Sequence, residues 1–194
     1  IPPDFALSFT TDDRGVIYGG LYPNGELVAF DPKTRALVNF GPLARETWPQ
    51  YLYLATDDKG WVYAFINFVR GNIIAFRPET GEKRQLTPED KRGYHDGAEV
   101  WRGRDGRVYG RLGKDEWYRM YDGAGARIAG PPAVDRAIHN SAVAPPSRWP
   151  DGSSFSNLGV RGRRVSVSDA GGSRPRGVAF DYQCAGRSIY SMIG

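Results

Sequence analysis

The sequence predicts an all-β fold built from repeated four-stranded antiparallel sheets, and three observations predict it. The 25 glycines and 14 prolines are spread along the 194 residues rather than clustered, which marks many short elements separated by turns. Runs such as VIYGGLY, ELVAF and NIIAF are rich in β-branched and aromatic residues, whereas no stretch holds apolar residues at i, i+3, i+4 and i+7 for three turns. A turn ending in glycine recurs with a period of about 45 residues.

The first repeat contains every element in order. It reads strand (ALSF), Asp/Gly turn (DDRG), strand (VIYGGLY), hairpin (PNG), strand (ELVAF), Pro turn (DPKTR) and strand (ALVNF). The Asp/Gly turn is the first marker. Asp12-Asp13-Arg14-Gly15 leads to Tyr18, Asp57-Asp58-Lys59-Gly60 to Tyr63, Arg104-Asp105-Gly106 to Tyr109, and Pro150-Asp151-Gly152 to Phe155. The four glycines stand 45, 46 and 46 residues apart. A second marker keeps register with the first: Tyr18 to Phe30 is 12 residues, Tyr63 to Phe76 is 13, and Tyr109 to Tyr121 and Phe155 to Val167 are 12 each. Asp and Gly are the residues a tight turn asks for, so the recurring Asp-Asp-x-Gly is read as turn chemistry rather than a calcium loop.

A single four-stranded meander cannot bury both of its faces, and units of this length become stable when stacked radially. That is the pattern of a β-propeller blade. Blades are expected over residues 5–47, 48–93, 94–138 and 139–175, with an incomplete fifth over 176–194; alternatively RGVAFDYQ is the outer strand of the fourth. A closed propeller of six to eight blades would need on the order of 270 to 370 residues. The chain is therefore read as part of a larger propeller that a further segment completes.

The x-Pro-x-Thr-Gly turn of Arg77-Pro78-Glu79-Thr80-Gly81, echoed by Asp31-Pro32-Lys33-Thr34-Arg35, follows an apolar strand and a Gly-x-x-Tyr strand about twelve residues earlier. On these residues the sequence resembles propellers of the streptogramin-lyase, gluconolactonase-type and quinoprotein-like (YVTN-like) superfamilies. The resemblance implies the fold; its members include lyases, lactonases, dehydrogenase scaffolds and protein-binding platforms, so it does not select one function.

Composition narrows the partners. With 26 basic and 22 acidic residues the formal charge is +4, and no polybasic tail is present, which argues against a nucleic-acid binder. A single cysteine, Cys184, forms no internal disulfide and no Cys-rich zinc site. No apolar run reaches the length of a membrane helix. No GxSxG, phosphate loop or dinucleotide fingerprint occurs in a suitable context, and no cofactor is expected. The lack of cytosolic-cofactor motifs favours a secreted or periplasmic protein.

Propeller ligands gather where inter-blade segments meet the hairpins between second and third strands. The segments are residues 42–50, 87–96 and 130–140, with 172–177 as a candidate fourth; the hairpins are Pro23-Asn24-Gly25, Arg70-Gly71-Asn72, Gly113-Lys114-Asp115 and Arg161-Gly162-Arg163. Both histidines, His95 and His139, fall in these segments, flanked by Tyr94 and Asn140, with Tyr51 in a similar place. Two histidines without a third ligand make a poor metal site. Guanidinium groups match carboxylates bidentately, so Arg70, Arg161, Arg163, Arg174 and Arg176, with Asn140, suit an anionic saccharide. The first reading is a binding module for such a saccharide or for a protein partner. The second is a polysaccharide lyase that β-eliminates uronates, with an arginine neutralising the carboxylate and His95, His139 or Tyr94 moving the proton. A third is a structural subunit of a larger complex. Trp61, Trp101 and Trp117 are expected to pack, while Trp48 and Trp149 sit in loops.

Overall fold

A computed structural model describes residues 5–46, 49–67, 69–137, 154–158, 164–168 and 177–181. It divides into two compact units, Ile1–Ser141 and Ala142–Gly194. The first holds three four-stranded antiparallel sheets in simple meander order: β1 (Phe5–Thr11), β2 (Ile17–Tyr22), β3 (Glu26–Asp31) and β4 (Ala36–Pro42); β5 (Tyr51–Thr56), β6 (Val62–Asn67), β7 (Asn72–Arg77) and β8 (Glu82–Gln85); β9 (Ala98–Arg102), β10 (Val108–Leu112), β11 (Glu116–Tyr121) and β12 (Ala124–Ile128). The described part of the second unit is one sheet of β13 (Ser154–Leu158), β14 (Arg164–Ser168) and β15 (Gly177–Asp181). The architecture is all-β and of β-propeller type.

The expected markers set each sheet. Gly15, Gly60 and Gly106 take φ of +86°, +84° and +78°, the left-handed region that lets the chain reverse between the first two strands. The preceding aspartate closes the turn: Asp57 Oδ1 accepts from the backbone N–H of Lys59 (3.0 Å) and Trp61 (2.9 Å), and Asp12 Oδ1 does the same for Arg14 and Val16 (3.0 and 2.9 Å). The marker tyrosine then anchors the turn to its own strand. Tyr18, Tyr63 and Tyr109 donate to Asp12, Asp57 and Asp105 at 3.1, 2.8 and 2.7 Å.

Burial follows radial order. In the second sheet, covered by a neighbour on each side, VYAFIN of β6 is buried at every position, while EKRQ of β8 is wholly exposed. Between first and second sheets lie Tyr18, Leu27, Leu52, Leu54, Val62, Ile66, Ile74 and Phe76, with Phe40 edge-on to Phe76 at 5.0 Å. Between second and third lie Trp61, Tyr63, Phe65, Ile73, Val100, Val108, Leu112 and Met120. Each such aliphatic or phenyl side chain contributes roughly 1.5–3 kcal/mol on burial, so two continuous interfaces hold three sheets that none could stabilise alone. Innermost strands are stitched directly: Ser8 Oγ donates to Leu52 O and Thr56 Oγ1 to Thr11 O, both at 2.7 Å. Trp61 and Trp101 are buried as expected, and Trp117 packs edge-on to Trp101. Trp48, Trp149 and Cys184 lie outside the described residues.

Gly177–Asp181 pairs with Arg164–Ser168, which agrees with the alternative in which RGVAFDYQ belongs to the fourth sheet.

Candidate functional site

The hairpins between second and third strands and the segments leading into the next sheet lie at one end of the first unit, as the topology requires. Backbone bonds tie them together. Gln50 N donates to Pro23 O (2.9 Å), Leu43 N to Gly25 O (3.0 Å), Gly71 N to Gly93 O (2.7 Å) and Gly113 N to Gly97 O (3.0 Å). Each hairpin thus braces the segment that passes it.

His95 occupies the centre of this arrangement. A Cβ on Gly71 would collide with its imidazole, and one on Gly113 would come 3.1 Å from Nδ1. The ring is therefore wedged between the hairpins of the second and third sheets, and two glycines make the room. Its Nε2 is buried and has no hydrogen-bond partner among the described residues. An imidazole held this way positions loops and does not present a base to solvent. Tyr94, beside it, is 64% exposed. Tyr51 stands against Tyr22 of the first sheet with ring centroids 4.8 Å apart.

Arg70 lies on the same end, and its guanidinium is paired with Glu89. Arg92 is deeper: its side chain is 6% exposed, it pairs with Glu46 and Glu89, and it donates to Arg70 O at 3.4 Å. Gln85 extends the network, donating from Nε2 to Glu89 Oε2 (3.1 Å) while its Oε1 accepts from Asn72 Nδ2 (3.2 Å). The hydrogen bond from Gln85, and then the one from Arg92, hold the Glu89 carboxyl below the usual carboxylate range. The two guanidinium groups of this network are thus paired with two carboxylates.

Below the exposed residues lies a layer of unsatisfied polar groups. Among the described residues seven buried side-chain atoms lack a partner, and five of them, Gln50 Oε1, Asn67 Oδ1, Asn72 Oδ1, Arg92 Nε and His95 Nε2, belong to this end. Each costs roughly 1–3 kcal/mol while it stays unpaired, a concentration that the Asp/Gly-turn end does not show. Sequence reading missed Gln50, Asn67, Asn72, Glu46 and Arg92. A signal was present for two: Asn67 and Asn72 bracket one hairpin symmetrically.

Of the other expected site residues, His139, Asn140, Arg161 and Arg163 lie outside the described residues. Arg174 and Arg176 also lie outside the described residues.

No family model matches the chain, and no curated protein does. Solved structures similar to it include virginiamycin B lyase from Staphylococcus aureus, at 13% identity and a TM-score of 0.45, covering 85% of this chain and 52% of that one. Another is the extracellular domain of a protein assigned as a one component system from B. thetaiotaomicron, at 13% identity and a TM-score of 0.47, covering 88% of this chain and 21% of that one. A third is an auxiliary nutrient binding protein from Bacteroides thetaiotaomicron, at 9% identity and a TM-score of 0.40, covering 81% and 43%. The chain thus spans about half of the first and about a fifth of the second. No helix of the described residues is long and apolar enough to cross a membrane.

Proposed function

We propose that the chain is a ligand-binding propeller module that recognises an acidic saccharide at its hairpin end. The observation that carries the reading is the coincidence there of an exposed phenol, Tyr94, and an exposed guanidinium, Arg70, above the layer of unpaired amide and imidazole groups. A sugar offers an apolar ring face to an exposed phenol and a carboxylate to an exposed guanidinium.

The Arg70–Glu89 pair does not oppose this. Both side chains are largely exposed, and such a pair is worth roughly 0–1 kcal/mol, so a ligand carboxylate exchanges for Glu89 at little cost. Of the two candidate bases among the described residues, His95 is wedged with Nε2 buried while Tyr94 is exposed, and binding is favoured over elimination because the imidazole does not face a ligand. A ligand of this class agrees with a secreted or periplasmic protein.

Calorimetric titration of the full chain with an oligogalacturonate and with its methyl ester tests the proposal. Saturable binding of the acid form, weakened severalfold by Arg70→Gln and by Tyr94→Ala and weaker for the ester, is the expected result. Absence of binding by either form, or binding indifferent to both substitutions, contradicts it. Growth of unsaturated-uronate absorbance during the titration would replace it with the lyase reading.

A further inference from the structure

The second and third sheets do not close on each other along their whole depth. Between them lies a cavity of about 380 Å³, floored by Ile73, Leu86 and Met120 and reached past Tyr118, Gly125 and Arg127. That is within the usual range for small-molecule sites.

The register of the sheets accounts for the opening. At the preceding interface Phe40 packs against Phe76, which pairs with Val62 on one side and Lys83 on the other. In the third sheet the residue paired with Val108, the counterpart of Val62, is Met120, and its outer partner is Gly125. A thioether thus replaces a phenyl ring, and a hydrogen replaces a long side chain. Gly125 does not take a left-handed φ, and a Cβ there would lie 3.0 Å from Leu86 Cδ1 and 3.3 Å from Met120 Cγ. Its effect is to leave space, since no turn requires it.

The polar groups at the mouth are unequal. Tyr118 donates to Glu116 Oε2 at 3.0 Å, so one carboxylate stands against the two cations of the lining, Lys91 and Arg127. Lys91 stands 3.7 Å from Asp90. Arg127, across the strand pair from Tyr118, is paired with no carboxylate among the described residues. The mouth therefore offers one uncommitted guanidinium beside an apolar floor.

We infer that this cavity binds a small amphipathic carboxylate, with an apolar body of about two fused rings on Ile73, Leu86 and Met120 and its carboxylate on Arg127. The volume excludes a macromolecule, and the unpaired Arg127 favours an anion over a neutral compound. The cavity is built from β7, β11, β12 and the segment that follows β8, and through Pro88 and Lys91 it adjoins the segment that carries Glu89 and Arg92 at the hairpin end.

Fluorescence titration of the full chain with naphthalene-2-carboxylate and with neutral 2-naphthalenemethanol tests it. The carboxylate should bind saturably at one site and more tightly than the alcohol. Arg127→Gln should weaken the carboxylate about tenfold and leave the alcohol unchanged. Gly125→Leu should abolish both, with thermal unfolding confirming that the variant folds. Should that variant fail to fold, Met120→Phe restores the ring found at the preceding interface and should also block binding. The inference is overturned if neither compound binds, if the alcohol binds as tightly as the carboxylate, or if binding survives in the folded cavity-filling variant.

Discussion

Arg102, on the innermost strand of the third sheet, donates two hydrogen bonds of 2.8 Å to the two carboxylate oxygens of Asp13, in the Asp/Gly turn of the first. The two residues stand 89 apart in sequence with an entire sheet between them. The contact therefore spans the inner edge of the second sheet and fixes how tightly three sheets turn about their common axis.

The fork-to-carboxylate geometry gives this pair measurable coupling even though Asp13 is exposed. A double-mutant cycle with Asp13→Ala and Arg102→Ala should return about 1 kcal/mol, read from denaturant midpoints. The coupling should shrink as salt is added.

The turn aspartates Asp57 and Asp105 should rank by what they hold. Asp57, buried, accepts from Lys59 N, Trp61 N, Tyr63 Oη and Asp122 N, the last at 2.8 Å from the neighbouring sheet. Asp105 accepts from Arg107 and Tyr109 within its own sheet and is more exposed. Asp57→Ala strands several buried donors and should cost about 3 kcal/mol or more, against about 1 kcal/mol for Asp105→Ala. Equal losses by urea unfolding would show that the link to Asp122 contributes nothing.

Two glycines with the same backbone separate strain from crowding. Gly81 and Gly123 have φ of +71° and +72°, but a Cβ on Gly81 meets nothing within 4 Å, while on Gly123 it would sit 2.6 Å from Trp61 Cε2. Alanine at Gly81 should cost about 1 kcal/mol for the left-handed backbone alone. At Gly123 it should cost about 3 kcal/mol, because the Trp61 ring is held by Arg84, 4.5 Å from its centroid, and cannot move aside freely.

Alkaline pH should destabilise the fold. Burial, reinforced by the Asp12 carboxylate, pushes the Tyr18 phenol up to about 12; burial and Glu116 do the same for Tyr118, and burial and Asp57 raise Tyr63 as well. An unfolded tyrosine ionises near 10, so between about pH 10 and 12 the unfolded chain holds fewer protons than the folded one. The stabilisation from these phenols is complete below pH 10 and declines as pH rises through that window. Unfolding midpoints should hold steady up to about pH 10 and then fall, with late tyrosinate absorbance rising together with unfolding.

What the sequence displayed and what it hid divide along contact range. Gly15, Gly60 and Gly106 and the tyrosines three residues on are legible because a turn and the first residues after it are set locally, by positive φ and an Asp cap. The same locality places Gly71 and Gly113 in hairpins and His95 in the segment between them. Arg102 with Asp13 and Arg92 with Glu46 are illegible for the opposite reason: each joins two sheets, and nothing in either local sequence specifies the partner. The cavity beside Gly125 was hidden too, since a glycine near a turn reads as turn chemistry until its cross-strand partner Met120 is known.

The hairpin end is the centre of the functional account, and the imidazole signals test it most directly. The sequence has two histidines, so His139→Gln leaves His95 as the single reporter, wedged between two hairpins. Titrating this variant with oligogalacturonate should move the His95 ring protons saturably, while the amide of Gly106 at the Asp/Gly-turn end stays in place. A His95 signal that stays fixed throughout, or a saturable shift at Gly106 instead, would contradict the account.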